Sequence, residues 1–155
     1  MTDARWSLPE SIPERWGPKV RAAAFAALRR RNVPVPRIAP IHESFGVQGV
    51  TTVPLPVDPG RCYLAVSGVA QGAGRGMRLT AAVGARPALD EAGARPEGVA
   101  ITFCPERGDV VPLTVELQST GAWWLLGVWE LGPRDAGGTG VPDPARRAAP
   151  TEDGT

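Results

Sequence analysis

The chain is poor in the side chains that most often do chemistry. It has one histidine, two cysteines, one tyrosine and three phenylalanines, and aromatics make up only 6% of it. One imidazole and two thiols are too few for most metal sites and for all but the simplest histidine-based catalytic arrangements. Neither sign of charge dominates. The formal net charge is +1, which excludes a strongly basic nucleic-acid binder or an acidic tail protein as a description of the whole chain. No run approaches the roughly 18 apolar residues of a membrane span. The longest apolar run near the start, Ala22 to Leu28, is too short and too alanine-rich for a signal core. With Met1 as the start, the chain reads as cytoplasmic; an export segment upstream would make it periplasmic or envelope-bound.

What the chain has in plenty is glycine (19) and proline (17), together about twice their usual share. Proline breaks helices and glycine weakens them, so long helices are not expected. Apolar residues make up 43% of 155 residues, enough for one packed domain.

Three zones differ in charge. Residues 1–40 hold seven arginines and Lys19 against three acids, a net +5; residues 41–132 carry −3 and residues 133–155 carry −1. The first zone predicts one helix over Pro18–Arg31. Pro18 suits the first helical position, Val20, Ala24, Ala27 and Leu28 fall on one stripe, and Arg29, Arg30 and Arg31 favour the last turn. Alternating prolines from Val33 to Arg37 make an extended connector.

The middle zone reads as strands. Val53, Leu55 and Val57 alternate with prolines, which marks an edge strand or lead-in. Further strands are expected over Cys62–Val69, Met77–Val83, Val99–Phe103, Val111–Leu117 and Trp123–Leu131. Residues 41–44 read as a loop entering the sheet, and 84–97 as a loop with a turn near Ala88–Glu91. Six strands at short intervals predict a mainly β fold: a single antiparallel β-sandwich behind one N-terminal amphipathic helix. Residues 133–155 have almost no large apolar side chain and are expected to be disordered.

From Gly60-Arg61-Cys62-Tyr63-Leu64-Ala65-Val66 onward the pattern is distinctive. A glycine-rich gap, an alternating strand, an acidic loop, Val99–Cys104, a Gly-Asp turn and two closing strands follow. Residues 60–132 resemble the small β-sandwich modules of the pre-peptidase C-terminal type found in bacterial secreted proteins and envelope lipoproteins. Some of those carry one cysteine near the first strand and another before the penultimate hairpin. The resemblance implies an accessory, non-catalytic role. Cys62 and Cys104, 42 positions apart, are the candidate disulfide: both abut strands and could meet across the sandwich, strand parity is mixed, and a bridge there would stabilise by roughly 3–4 kcal/mol. Two buried thiols are the alternative.

Candidate chemistry is sparse. His42, Glu43 and Ser44 invite a triad, but adjacent residues rarely converge as triads do. Asp90, Glu91 and Glu97 match no calcium-loop spacing. Gly72–Met77 lacks the Gly-Lys-Ser/Thr ending of a phosphate loop, and Arg107-Gly108-Asp109 is read as a turn. No catalytic residue, metal or cofactor is expected.

Two surfaces stand out. Lys19, Arg21, Arg29, Arg30 and Arg31 could touch an anionic surface, with a solvated helix face as the favoured alternative. On the last strand, Trp124, Leu126 and Val128 share one face, and Trp123, Leu125 and Trp129 share the other. One face must fill the core. The face of Trp124, Leu126 and Val128 is assigned outward, for a protein partner or for cover by the N-terminal segment. The leading functional expectation is a non-enzymatic interaction module, accessory to a bacterial assembly or envelope system. The alternatives are a small hydrolase or carbohydrate-binding accessory domain, and a peripheral binder of anionic surfaces.

Overall fold

A computed structural model of the chain describes residues 12–71, 76–92, 98–108, 110–118 and 121–133. After a 3-10 turn over Glu14–Trp16 come helix α1 (Pro18–Arg31) and eight strands. The strands are β1 (His42–Val47), β2 (Gly49–Pro56), β3 (Arg61–Gln71), β4 (Gly76–Ala81), β5 (Ala88–Ala92), β6 (Val99–Phe103), β7 (Val110–Gln118) and β8 (Trp123–Pro133). They form two four-stranded antiparallel sheets, β1-β8-β3-β6 and β2-β7-β4-β5. The mainly β sandwich read from the alternation is the observed fold. The expected tail, the Gly72–Met77 loop up to Arg75, and Glu97 lie outside the described residues.

Two strands exceed the sequence expectation. Residues 41–44, read as a loop, lead into and open β1 (His42–Val47), and the turn read at Ala88–Glu91 is β5 (Ala88–Ala92). Both are edge strands. Each is short, and an edge strand has one neighbour to satisfy and little apolar alternation to reveal it.

The core lies between the sheets. Val111, Leu113, Val115 and Leu117 of β7 meet Tyr63, Ala65 and Val69 of β3, Leu79 of β4 and Ile101 of β6. Tyr63 stacks on Phe103 at 5.7 Å, and its hydroxyl accepts the Asp58 N–H at 2.8 Å. The second sheet turns a polar face to solvent, where Thr52 and Thr114 approach at 3.3 Å and Arg78 pairs with Glu91.

The first sheet is apolar on both faces, so it needs a third layer. α1 supplies it. Val20, Ala24, Ala27 and Leu28 pack with Ile12 and Trp16 onto Leu64, Val66, Ala100 and Trp129. Pro18 opens the helix and Asn32, in the left-handed conformation (φ 60°), closes it with its N–H on the Leu28 and Arg29 carbonyls. The small alanines allow close approach. At Gly98 (φ +72°) a Cβ would lie 2.7 Å from the Ala23 carbonyl oxygen. From the last turn, Arg30 grips Asp90 of β5 through two hydrogen bonds of 2.9 and 2.8 Å and reaches the Gly98 carbonyl at 3.1 Å. The helix is thereby tied to both sheets.

Candidate functional site

The tryptophan face assigned outward is in fact the inner one. Trp124, Leu126 and Val128 lie fully buried in the inter-sheet core, so they offer no surface to a partner. Strand parity separates the two faces but cannot say which one meets the second sheet. The opposite face is covered at one end: Trp16 packs edge-on against Trp129 at 6.2 Å. Cover by the N-terminal segment thus applies to Trp129, not Trp124.

Past Trp16 no described residue continues that outer cover. Phe45 of β1 stands 73% exposed and meets Trp123 edge-on at 6.4 Å. Val47 (60%) follows on the same face of β1 and Ile41 (50%) precedes the strand, whereas Val50 (70%) of β2 stands opposite Glu116 on the outer face of the other sheet. Most isolated exposed apolar residues mean nothing, but a contiguous set marks an interaction surface or a liability. Glu43, the only charge on β1, is engaged by the Arg15 guanidinium and by the Trp16 indole N–H at 3.0 Å.

The outer main chain of β1 is also unpaired with any described strand. Gln48 N–H donates to the Ala122 carbonyl, and ladder bonds alternate along an antiparallel strand. His42, Ser44 and Gly46 therefore bond toward β8, while the main-chain groups of Glu43, Phe45 and Val47 face the free edge. Consistently, the Val47 carbonyl accepts the Trp124 indole N–H at 3.2 Å. The indole reaches it by crossing Gly46, where a Cβ would lie 2.3 Å from the ring.

The other edges are better protected. β2 carries Pro54 and Pro56, which cannot donate. β5 has five residues, with charged Asp90 and Glu91 among them. β6 lies beneath α1, and its Ala100 N–H is capped by the Asp90 carboxylate at 2.9 Å. β1 carries no proline and no helix packs over its edge among the described residues, and its one charge, Glu43, is already engaged. Its sequence signal, Phe45-Gly-Val47, is too short to be read as a strand without knowing that β8 lies beside it.

The remaining candidates are accounted for structurally. His42 Nε2 and Ser44 Oγ lie 2.7 Å apart on one face of β1, whereas Glu43 points to the other. His42 and Ser44, two apart in a strand, share a face, but the adjacent carboxylate that a triad would need faces away. Asp90 is not a cation ligand in waiting: besides Arg30 and Ala100, Arg31 lies 3.7 Å away. Burial alone would raise its pKa; the Arg30 hydrogen bonds, the Ala100 N–H and the charges of Arg30 and Arg31 outweigh it and hold it below its ordinary value. Among the described residues no cluster of three or more His, Cys, Asp or Glu side chains is placed to hold a metal.

The expected cationic surface is dispersed for the same reason. Arg30 and Arg31 turn to Asp90, and Arg21 donates to the Ile12 carbonyl at 3.2 Å while lying over Phe25. Arg29 is exposed, and Lys19 lies at the far end of the helix. The described outer face of the second sheet bears threonines and charges around an open hollow of about 270 Å³ beside Arg78. No aromatic ring lines it on which a sugar would stack.

Cys62 and Cys104 are bridged. They join neighbouring strands within one sheet, not the two sheets across the sandwich. Tyr63 pairs with Phe103, so the cysteines continue that register at a Cα separation of 4.1 Å, near the close spacing of a non-hydrogen-bonded pair. Cys62 shares its face with Leu64 and Val66, and Cys104 opposes the Val99, Ile101 and Phe103 face. Both faces are the helix-covered one, so the parities agree. No helix of the described chain is long and apolar enough to cross a membrane. No protein-family model matches the chain, and no curated protein matches it either.

Proposed function

We propose that this chain is a non-catalytic interaction module that binds through the open edge of β1. One observation carries the reading: a strand whose outward main-chain groups, the Val47 carbonyl apart, have no partner among the described residues is bordered by the exposed side chains of Phe45 and Val47. Such an edge binds by strand addition, in which main-chain hydrogen bonds supply affinity and alternate side chains supply specificity. The resemblance of residues 60–132 to pre-peptidase C-terminal-type modules supports an accessory role in a larger bacterial assembly or envelope system. The Cys62–Cys104 bridge supports an oxidising compartment.

The test is site-specific photo-crosslinking in the native cells, with a benzophenone side chain in place of Val47 and a control at Val110, an exposed apolar residue on β7. Adducts are expected at position 47, absent at 110, and abolished by Phe45→Asp. Equal yields at the two positions, or none at 47, overturn the reading.

A further inference from the structure

This edge, with no strand beside it among the described residues, fits one occupant in particular. We infer that β1 pairs antiparallel with β1 of a second copy of this chain, joining two first sheets into one continuous eight-stranded sheet. The inference rests on the open-edge reading above and names its partner.

Three features favour a second copy over a foreign strand. The first is charge. A strand added to itself places like side chains near one another, and like charges directly opposite are destabilising. β1 carries one acid, Glu43, already held by Arg15 and Trp16. Its other positions are His42, Ser44, Phe45, Gly46 and Val47.

The second is register. The main-chain groups that face outward belong to Glu43, Phe45 and Val47, so a two-fold axis can pass through the Phe45 pair. Each Phe45 N–H then meets the Phe45 carbonyl of the other copy. Glu43 stands opposite Val47, whose carbonyl also holds the Trp124 indole N–H and accepts on its second lone pair, and the two acids stay four positions apart along the paired strands. Such an axis is perpendicular to the sheet and keeps both outer faces on one side. The two Phe45–Trp123 pairs then adjoin as one aromatic strip between the two helix layers, where aromatic cross-strand pairs contribute roughly 0.2–1 kcal/mol each.

The third is closure. An isologous contact uses the same patch on both copies and ends there. The prolines of β2, the charges of β5 and the capped, helix-covered β6 leave no second described edge for continued growth. A dimer is the expected end point, not a fibre.

Sedimentation and light scattering of the purified full chain test this directly. The expected mass is twice 16.3 kDa. Phe45→Asp and Phe45→Lys are each expected to sediment as monomers with unchanged circular dichroism, because Phe45 lies outside the core. Mixing the two variants should restore the dimer, since the register sets position 45 opposite itself. Three results overturn the inference: a monomeric parent chain, a dimer indifferent to both substitutions, or variants that fail to recombine when mixed. If the parent is monomeric while Val47 adducts contain another protein, only the second copy is refuted and the open-edge reading stands. If the Val47 adduct is internal, to residues 1–11, the chain covers its own edge and both fail.

Discussion

Asp90 shows what one residue can hold in place. It is 4% exposed, accepts two hydrogen bonds from Arg30 and one from the Ala100 N–H, and so joins α1, β5 and β6. Asp90→Ala leaves a buried N–H and a guanidinium without their acceptor, and the expected loss is about 2–3 kcal/mol in urea unfolding. The pH dependence follows from the direction of its pKa. The folded value lies below the ordinary 3.8, so the contribution is complete above that value and disappears as pH falls through the folded one. The stability gap between the parent and Asp90→Asn should therefore be constant near neutrality and narrow below about pH 4. Trp124 is a second case. Fully buried, with its N–H on the Val47 carbonyl, it is expected to cost about 3–5 kcal/mol on truncation to alanine. The melting temperature should fall steeply. Gly46→Ala, which drives a Cβ into the same indole, should cost about 1–3 kcal/mol by overpacking.

At the scale of elements, the disulfide and the helix act on the same sheet. The Cys62–Cys104 bridge ties β3 to β6 and closes a 42-residue separation, for which the chain-entropy relation gives about 4 kcal/mol. Replacing both cysteines by serine should lower the urea midpoint accordingly and make it indifferent to reductant. An unchanged midpoint would mean that the pair is not bridged in solution. α1 has 14 residues, too few to be stable alone in water. Its order derives from burying Val20, Ala24, Ala27 and Leu28 against Leu64, Val66 and Trp129.

At the scale of the molecule, the first sheet is sandwiched between the second sheet and the helix layer, and neither cover is dispensable. A chain beginning at residue 41 would expose Leu64, Val66, Ala100 and Trp129 together, a patch of the kind that drives association. It should bind a hydrophobic dye, show red-shifted tryptophan emission and aggregate, where the full chain does not. A soluble, dye-silent 41–155 chain would instead make the helix an independent appendage.

Much of this was open to reading from residue order. Alternation along Val111–Leu117 marks one buried and one polar face with no other knowledge, because a strand's side chains have a period of two. Pro18 and the closing arginines bound α1 for reasons local to a helix. The edge strands were not legible: β1 and β5 are short, and their identity depends on neighbours far along the chain. Nor was the candidate site. Trp123-Trp124 shows that one indole faces each way, yet nothing local says that the second sheet takes Trp124, that Trp16 takes Trp129, and that Trp123 is left beside Phe45. Sequence alone determined the period, the caps and the breaks, which are properties of a few consecutive residues. Tertiary structure alone decided which face became interior and which edge stayed open, because those depend on what distant segments cover.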